Sequence, residues 1–433
     1  MIKQALMGGA ATAALTLSLA GSAFAGYDVN SRIDSLENEL RELRAQMQAR
    51  DSKLAELEEA TTGLGDMPVF DSKKLMISSR DGNWSIRFGG RLQLDAFLAD
   101  AERAGGVETS GGGAEVRRAR FFAEGLVAGD WEYKLEVSFD GTSASFETAT
   151  IGTNVGGFDL TFGNDKEPMG LEELTSSRYI TFMERSLVNE AFAPGRNLGA
   201  NVSRGGDNYS ASVGFYTNGI DNGSDTATTD WATTGRVTFA PIAEKDQVVH
   251  LGVSASYRGF DDNSGPRIRL RNFHNGTRYV DSGTFAAEGQ TTIGLEAAAV
   301  LGPVSLQGEY YDSSIEGNGA TVDTDYDGWY LMASYFVTGE SRAYKANSGK
   351  FDRVKSDGAI ELAARYEQLD MEDVGFGAGA SDNSAWTLGV NYYFNPYIRT
   401  MLNYGSAEYD FTTASGSADT DVDFIGTRLQ VDF

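Results

Sequence analysis

From residue 84 onward, apolar and polar side chains alternate with a period of two. In WSIRFGGRLQLDAFL, Trp84, Ile86, Phe88, Leu92, Leu94, Ala96 and Leu98 share one face of an extended strand. Ser85, Arg87, Arg91, Gln93 and Asp95 share the other. WEYKLEVSFD sets Trp131, Tyr133, Leu135, Val137 and Phe139 against Glu132, Lys134, Glu136, Ser138 and Asp140, and Trp386, Leu388, Val390, Tyr392 and Phe394 repeat the pattern. About sixteen such segments follow one another, the first starting near 84 and the last near 422. One alone also fits a half-buried soluble sheet. Their recurrence at ~9–11 residues, with aromatics at the ends and charges on the opposite face, predicts a membrane-spanning antiparallel β-barrel. Tight connections such as APIAEKD and FNP alternate with longer acidic ones, 261–288 and 313–326. The last strand places Ile425, Thr427, Leu429, Val431 and Phe433 on one face and ends on an aromatic.

Two segments break the period. Between 29 and 57, Val29, Ile33, Leu36, Leu40, Leu43, Met47, Leu54 and Leu57 recur at steps of four and three, skipping one position at Arg50. That heptad stripe predicts a helix that self-associates as a coiled coil, because no other helix-period segment offers it a partner. Between the fifth and sixth strands, Asn164 to Asn197 does not alternate and is punctuated by Pro168, Gly170, Pro194 and Gly195. A connection of that length is uncommon unless functional. In a barrel of this size its natural place is the lumen, where it narrows the channel. The organisation expected is therefore a secretory signal over 1–25, a periplasmic coiled coil over 26–60, a linker over 61–82 and the barrel over 83–433. The signal is read from Lys3, the apolar run Ala5 to Ala20 and the small residues Ala23 to Ala25.

Composition narrows the chemistry. The chain has 433 residues, 52 Gly, no Cys and two His, so disulfides, thiolate sites and histidine-rich metal clusters are excluded and no cofactor is expected. Neither His250 nor His274 lies in a recognisable catalytic motif, and no triad is found. A formal charge of −26 argues against nucleic acid as a partner. Against that acidic background, TSSRYITFMERS brings Arg178 and Arg185 next to Ser176 and Ser177 inside the non-alternating connection. EVRRARFFAEG puts Arg118, Arg120 and Glu124 on the polar face of the second strand, whereas strict alternation puts Arg117 on the apolar face unless it lies at the strand end or a bulge intervenes.

The stretches KEPMGLEELTSSRYITFMERSLVNEAFAPGRNLG, RFGGRLQLDAF and RRARFFAEG resemble the phosphate-selective porins O and P, over roughly Asn83 to Phe433. The resemblance implies a sixteen-stranded trimeric barrel in the outer membrane of a Gram-negative bacterium, without enzymatic activity. It also implies anion selectivity through a ladder of arginines leading to a basic constriction. In that family a basic residue follows the paired serines, and Arg178 stands there after Ser176 and Ser177; well-studied members carry lysine. Arginine keeps the charge and replaces a mobile point charge with a planar fork. Arg185 and Arg196 match charged positions later in the connection, and Arg117, Arg118 and Arg120 match the basic run of the second strand. RIRLRNFHNGTRY, with Arg267, Arg269 and Arg271 at alternate positions, resembles the ladder.

The expected partners are thus inorganic anions such as phosphate, pyrophosphate or polyphosphate, outer-membrane lipid, and two further copies of the chain. A general diffusion porin and a structural tether to periplasmic components are the alternatives. The acidic balance does not oppose an anion channel, since it is assigned to the coil and to loops such as DTDYDG and ADTDVD. Surface charge is screened beyond ~8–10 Å, whereas charges at a constriction act at contact distance.

Overall fold

The structure, a computed structural model, describes residues 29–64, 68–103, 107–141, 143–220, 231–261, 265–270, 273, 280–282, 284, 286–319, 321, 323–371, 380–413 and 416–433. The expected signal over 1–25 lies outside these residues. The chain divides into two compact units, 1–67 and 68–433. In the first, α1 (Val29–Leu64) is one continuous helix. Ile33, Leu36, Leu40, Leu43, Met47 and Leu54 of the heptad stripe are all exposed. No helix among the described residues is long and apolar enough to cross a membrane.

In the second unit, sixteen strands pair antiparallel in sequence order among the described residues. They are β1 (Ser85–Arg103), β2 (Val107–Val127), β3 (Trp131–Ser138), β4 (Ser145–Val155), β5 (Phe158–Lys166), β6 (Arg196–Gly205), β7 (Tyr209–Tyr216) and β8 (Trp231–Ala243). There follow β9 (Gln247–Gly259), β10 (Ala287–Leu301), β11 (Val304–Gly317), β12 (Thr324–Phe336), β13 (Ala359–Asp370), β14 (Ala380–Asn395), β15 (Ile398–Thr413) and β16 (Gly416–Asp432). β16 pairs with β1 from Thr420↔Arg103 to Asp432↔Arg91, which closes the barrel and leaves it no edge. Burial is inverted relative to a soluble sheet. Leu92, Leu94, Leu98, Leu388, Val390, Ile425 and Leu429 are exposed on the outer face, while Arg91, Gln93, Asp95, Asn391, Arg428 and Gln430 are buried on the inner one. A wall that presents apolar groups outward and ionised groups inward is built for lipid outside and a polar lumen inside.

Because the strands run antiparallel, the connections fall alternately at two ends. At the turn end lie short links such as 156–157, 206–208, 302–303 and 396–397. At the loop end lie 167–195 and 260–286. The stretch 313–326, read from sequence as a long loop, is mostly strand, since β11 runs to Gly317 and β12 begins at Thr324. Polar groups on both faces there extend the ladder beyond the apolar band. DTDYDG, from Thr324 on, and ADTDVD likewise belong to β12 and β16, with Asp325, Asp421 and Asp423 exposed on the outer face. The expected linker 61–82 also divides. α1 continues through Leu64, and Val69–Asp71 pairs with Met76–Ser78, which pairs with the start of β1.

The main apolar core is inside the barrel. Met183, Leu187, Val188 and Phe192 of the 167–195 connection pack with Ile268, Leu270 and Phe273 of the 260–286 connection. Wall residues Tyr311, Tyr326, Tyr330 and Phe424 complete the cluster. One turn-end connection, 337–358, is long; it carries a small hairpin of Tyr344–Lys345 and Lys350–Phe351 around a left-handed Gly349. It reaches the loop-end insertion, for the Phe351 amide donates to Thr175 Oγ1 at 3.3 Å.

Candidate functional site

The register of β1 against β2 shifts between Gln93↔Arg118 and Leu94↔Val116, leaving Arg117 as the extra residue of a β-bulge. The bulge settles which way Arg117 points. Instead of following strict alternation to the outer face, it turns inward beside Arg118. Its Nε and Nη2 donate to the two oxygens of Glu184, each at 2.9 Å. Arg118 reaches the same carboxylate at 3.2 Å, and Arg428 of β16 at 2.6 Å. Burial alone would raise the Glu184 pKa, but Arg117, Arg118 and Arg428 reverse that and hold it well below the ordinary carboxylate range.

The wall reads the backbone of the inserted loop nearly residue by residue. Gln93 donates to the Ser177 carbonyl at 3.1 Å, Gln430 to that of Arg178 at 3.0 Å and Arg399 to that of Ile180 at 2.9 Å. Asn391 reaches Thr181 O at 2.8 Å, Arg428 reaches Met183 O, and Arg365 reaches Glu184 O at 3.1 Å. Two short helices flank this stretch. At α2 (Leu171–Leu174), the Leu171 and Glu172 amides donate to the Glu309 carboxylate at 2.6 and 2.9 Å. At α3 (Leu187–Phe192), Ser186 caps the N-terminus by accepting from the Asn189 amide at 3.0 Å. A loop tied at so many backbone groups is a fixed part of the wall.

That placement positions the serine pair and Arg178. Ser177 is buried and its Oγ accepts from Arg91 Nη1 at 2.6 Å. Ser176 Oγ accepts from Arg178 Nε at 3.3 Å. The Arg178 guanidinium stands over the rings of Phe122, at 5.7 Å, and Tyr179, at 5.3 Å. Phe122 is buried on the inner face among cations, and Gly89 opposite makes room for its ring, which any Cβ there would strike.

Between the loop and the turn end lies a cavity of about 1030 Å³. Fifteen of its lining residues are Lys or Arg; three, Glu136, Asp165 and Asp352, are acidic. Most of the arginines are matched by carboxylates. Arg120 and Arg196 share Glu147, the second at 2.8 Å, and Arg91 meets Glu136 at 2.7 Å. Arg185 spends its donors on the carbonyls of Glu172, Glu173 and Thr175, at 2.9, 3.2 and 2.9 Å, and so clips the loop together. Arg178, Lys134 and Lys350 differ: among the described residues no carboxylate lies within ion-pair distance of them. Burial holds Lys350 below the ordinary lysine range; Asp165 opposes that, while Lys134, Lys345 and Arg236 add to it.

The structure therefore brings Ser176, Ser177, Arg178, Arg185, Arg196, Arg118 and Arg120 to one cavity, with Arg117 adjoining through Glu184. It does not bring Arg267 there. Arg267 is exposed, and it is the alternate residues Ile268 and Leu270 that turn inward, into the apolar core. Of Arg269 only backbone pairing, with Asp281, is described, and Arg271 lies outside the described residues. Sequence reasoning passed over Arg91, Lys134, Phe122 and the cations of the 337–358 connection. A signal existed in YKANSGKFDRVK, which sets Lys345, Lys350, Arg353 and Lys355 within a short glycine-containing stretch of an acidic chain.

Residues 86–433 match the family model described as phosphate-selective porin O and P. The chain is 30% identical over 420 residues to Porin O of Pseudomonas aeruginosa, covering 86% of this chain and 94% of that one. It is 29% identical over 374 residues to an uncharacterized protein of Caulobacter vibrioides, covering 81% and 75%. Among solved structures, the outer membrane channel DcaP of Acinetobacter baumannii shares the fold at a TM-score of 0.54 and 12% identity, covering 82% of this chain and 99% of that one. An anion-selective porin from Comamonas acidovorans does so at 0.51 and 14%, covering 81% and 100%.

Proposed function

On the premise that this chain belongs to the phosphate-selective porin O and P family, and is an outer-membrane porin, we propose that it passes phosphate or related oxyanions through a constriction built on Arg178. The observation that carries the reading is a cavity lined by fifteen basic and three acidic residues, in a chain whose formal charge is −26. Positive charge concentrated against the overall balance, and facing a lumen, favours anions at the point of passage.

Arg178, Lys134 and Lys350 supply charge that no carboxylate among the described residues meets at ion-pair distance, though Asp165 acts on Lys350 from further away. An oxyanion exchanges part of its hydration shell for charge-assisted hydrogen bonds from these groups. The paired arginines, Arg91, Arg118, Arg120, Arg185 and Arg196, shape the wall and raise the local potential while staying neutralised in part. Such grading suits conduction, because one very tight site would block the pore. Arg267, exposed in the 260–286 connection, enters this reading as a loop-end charge ahead of the cavity.

The turn end faces the periplasm in this reading, as short turns do in barrels of this kind. The exposed heptad stripe of α1 supports a periplasmic coiled coil that joins three copies. Single-channel reversal potentials in a salt gradient test the function. An anion preference, with chloride current blocked by added inorganic phosphate, is expected; a cation preference sinks it.

A further inference from the structure

We infer that Tyr179 and Arg353 set the anion affinity of the constriction by orienting Arg178, so that the turn-end connection 337–358 acts as a specificity element. The inference rests on the reading of Arg178 given above.

Arg178 makes no ion pair among the described residues, so something other than a carboxylate must fix its direction. Two rings lie against it, Phe122 and Tyr179, and its Nε is occupied by Ser176. Aromatic rings interact with the face of a guanidinium and leave its N–H edge available. The Nη groups have no protein acceptor among the described residues, so an anion meets donors that are already aimed. Preorganised donors bind more tightly than mobile ones because less freedom is lost on contact.

Tyr179 is itself held. Arg353 Nη2 donates to its hydroxyl at 3.2 Å, and the Arg353 guanidinium lies 5.2 Å from its ring and 5.0 Å from that of Tyr397. Arg353 is pinned in turn by the carboxylate of Asp432 and the carbonyl of Pro396. A relay of contacts therefore runs from Asp432 on the closing strand, through Arg353 of the turn-end connection, to Tyr179 and Arg178 of the loop. Tyr179 and Arg353 are positioning residues in this scheme, and neither has to touch the anion.

The test uses the full-length channel in planar bilayers, with chloride current and inorganic phosphate as the blocking probe. Tyr179→Leu is expected to raise the half-blocking phosphate concentration about tenfold. Reversal potential in a chloride gradient should stay at the wild-type value, because no charge is removed. Tyr179→Phe keeps the ring that faces both guanidinium groups and loses the hydroxyl that Arg353 holds, so its block should fall between those of Tyr179→Leu and the wild type. Arg353→Lys keeps the charge without the fork and should follow Tyr179→Leu. If Tyr179→Leu fails to fold, Arg353→Lys decides alone. Wild-type block in either variant overturns the inference, as does a Tyr179→Phe channel no better than Tyr179→Leu. A wild-type channel that phosphate does not block overturns the reading of Arg178, and the inference falls with it.

Discussion

Glu184 receives Arg117 in a two-point grip, Nε and Nη2 each at 2.9 Å from one of its oxygens, and thereby locks the inserted loop to a bulge in β2. The same carboxylate also neutralises Arg118 and Arg428. Replacing it leaves Arg117 and Arg118 short of counter-charge, while Arg428 keeps Asp95. Glu184→Gln should therefore destabilise the barrel by about 3 kcal/mol, as removal of one partner from a buried ion pair does. Loss of the folded, heat-resistant species at lower temperature on gels would report it.

Acid should undo the same contact. Burial raises the Glu184 pKa, but the three arginines overcome it and hold the group well below its ordinary value of 4.5. Glu173, beside Arg185 and Lys166, is held down to about 2. A carboxylate depressed on folding contributes stability that is fully present above its unfolded pKa and is lost as pH falls toward the folded value. The unfolding midpoint should be level from neutral pH to about 5 and decline below that. Glu184→Gln should show a shallower decline; parallel slopes for the two proteins would remove Glu184 from the account.

Arg178 offers the sharpest mutation. Arg178→Ala removes a cation that meets no carboxylate among the described residues, together with the charge-assisted hydrogen bonds it offers an anion, interactions of about 1.5–3 kcal/mol. Phosphate block of the chloride current should weaken at least tenfold. A general diffusion porin would show little change in the same recording.

Lys350 gives the channel an alkaline limit. Burial, and after it Lys134, Lys345 and Arg236, push its pKa below 10.5 against the opposing pull of Asp165. It therefore loses its proton earlier than an exposed lysine as pH rises. Anion preference, read as reversal potential, should begin to fall at a pH below 10.5, and Lys350→Arg should hold the wild-type preference further up the scale.

Deleting residues 29–60 separates the two units. Unitary conductance should be unchanged, because the cavity is lined entirely by residues of the 68–433 unit. Oligomer stability, measured by light scattering after mild heating, should fall if the exposed stripe of α1 binds its copies.

How much of this was legible in the sequence follows from the range of the forces involved. The barrel was legible because lipid imposes one rule on every strand, and the alternation around Leu92, Leu388 and Leu429 obeys it. The inserted loop was legible because it breaks that rule. Arg117 was ambiguous, since its direction depends on a bulge that period-two reading locates only as a conflict. Arg267 shows the opposite failure: alternate spacing was visible, but whether Arg267 or Ile268 turned inward depended on an apolar cluster with Phe192 and Phe424, far away in sequence. Arg353 carried no local signal of its role. Its partners, Tyr179 and Asp432, are brought to it only by closure of the barrel.

Arg428 has a further consequence, for biogenesis. It stands on β16, the strand that completes the ring, and from there bonds Asp95 of β1, Glu184 and the Met183 carbonyl. Sealing the wall and completing the grip on the inserted loop thus share one residue: until β16 pairs with β1, Arg428 is not brought to Asp95, and Glu184 lacks the third of its guanidinium partners.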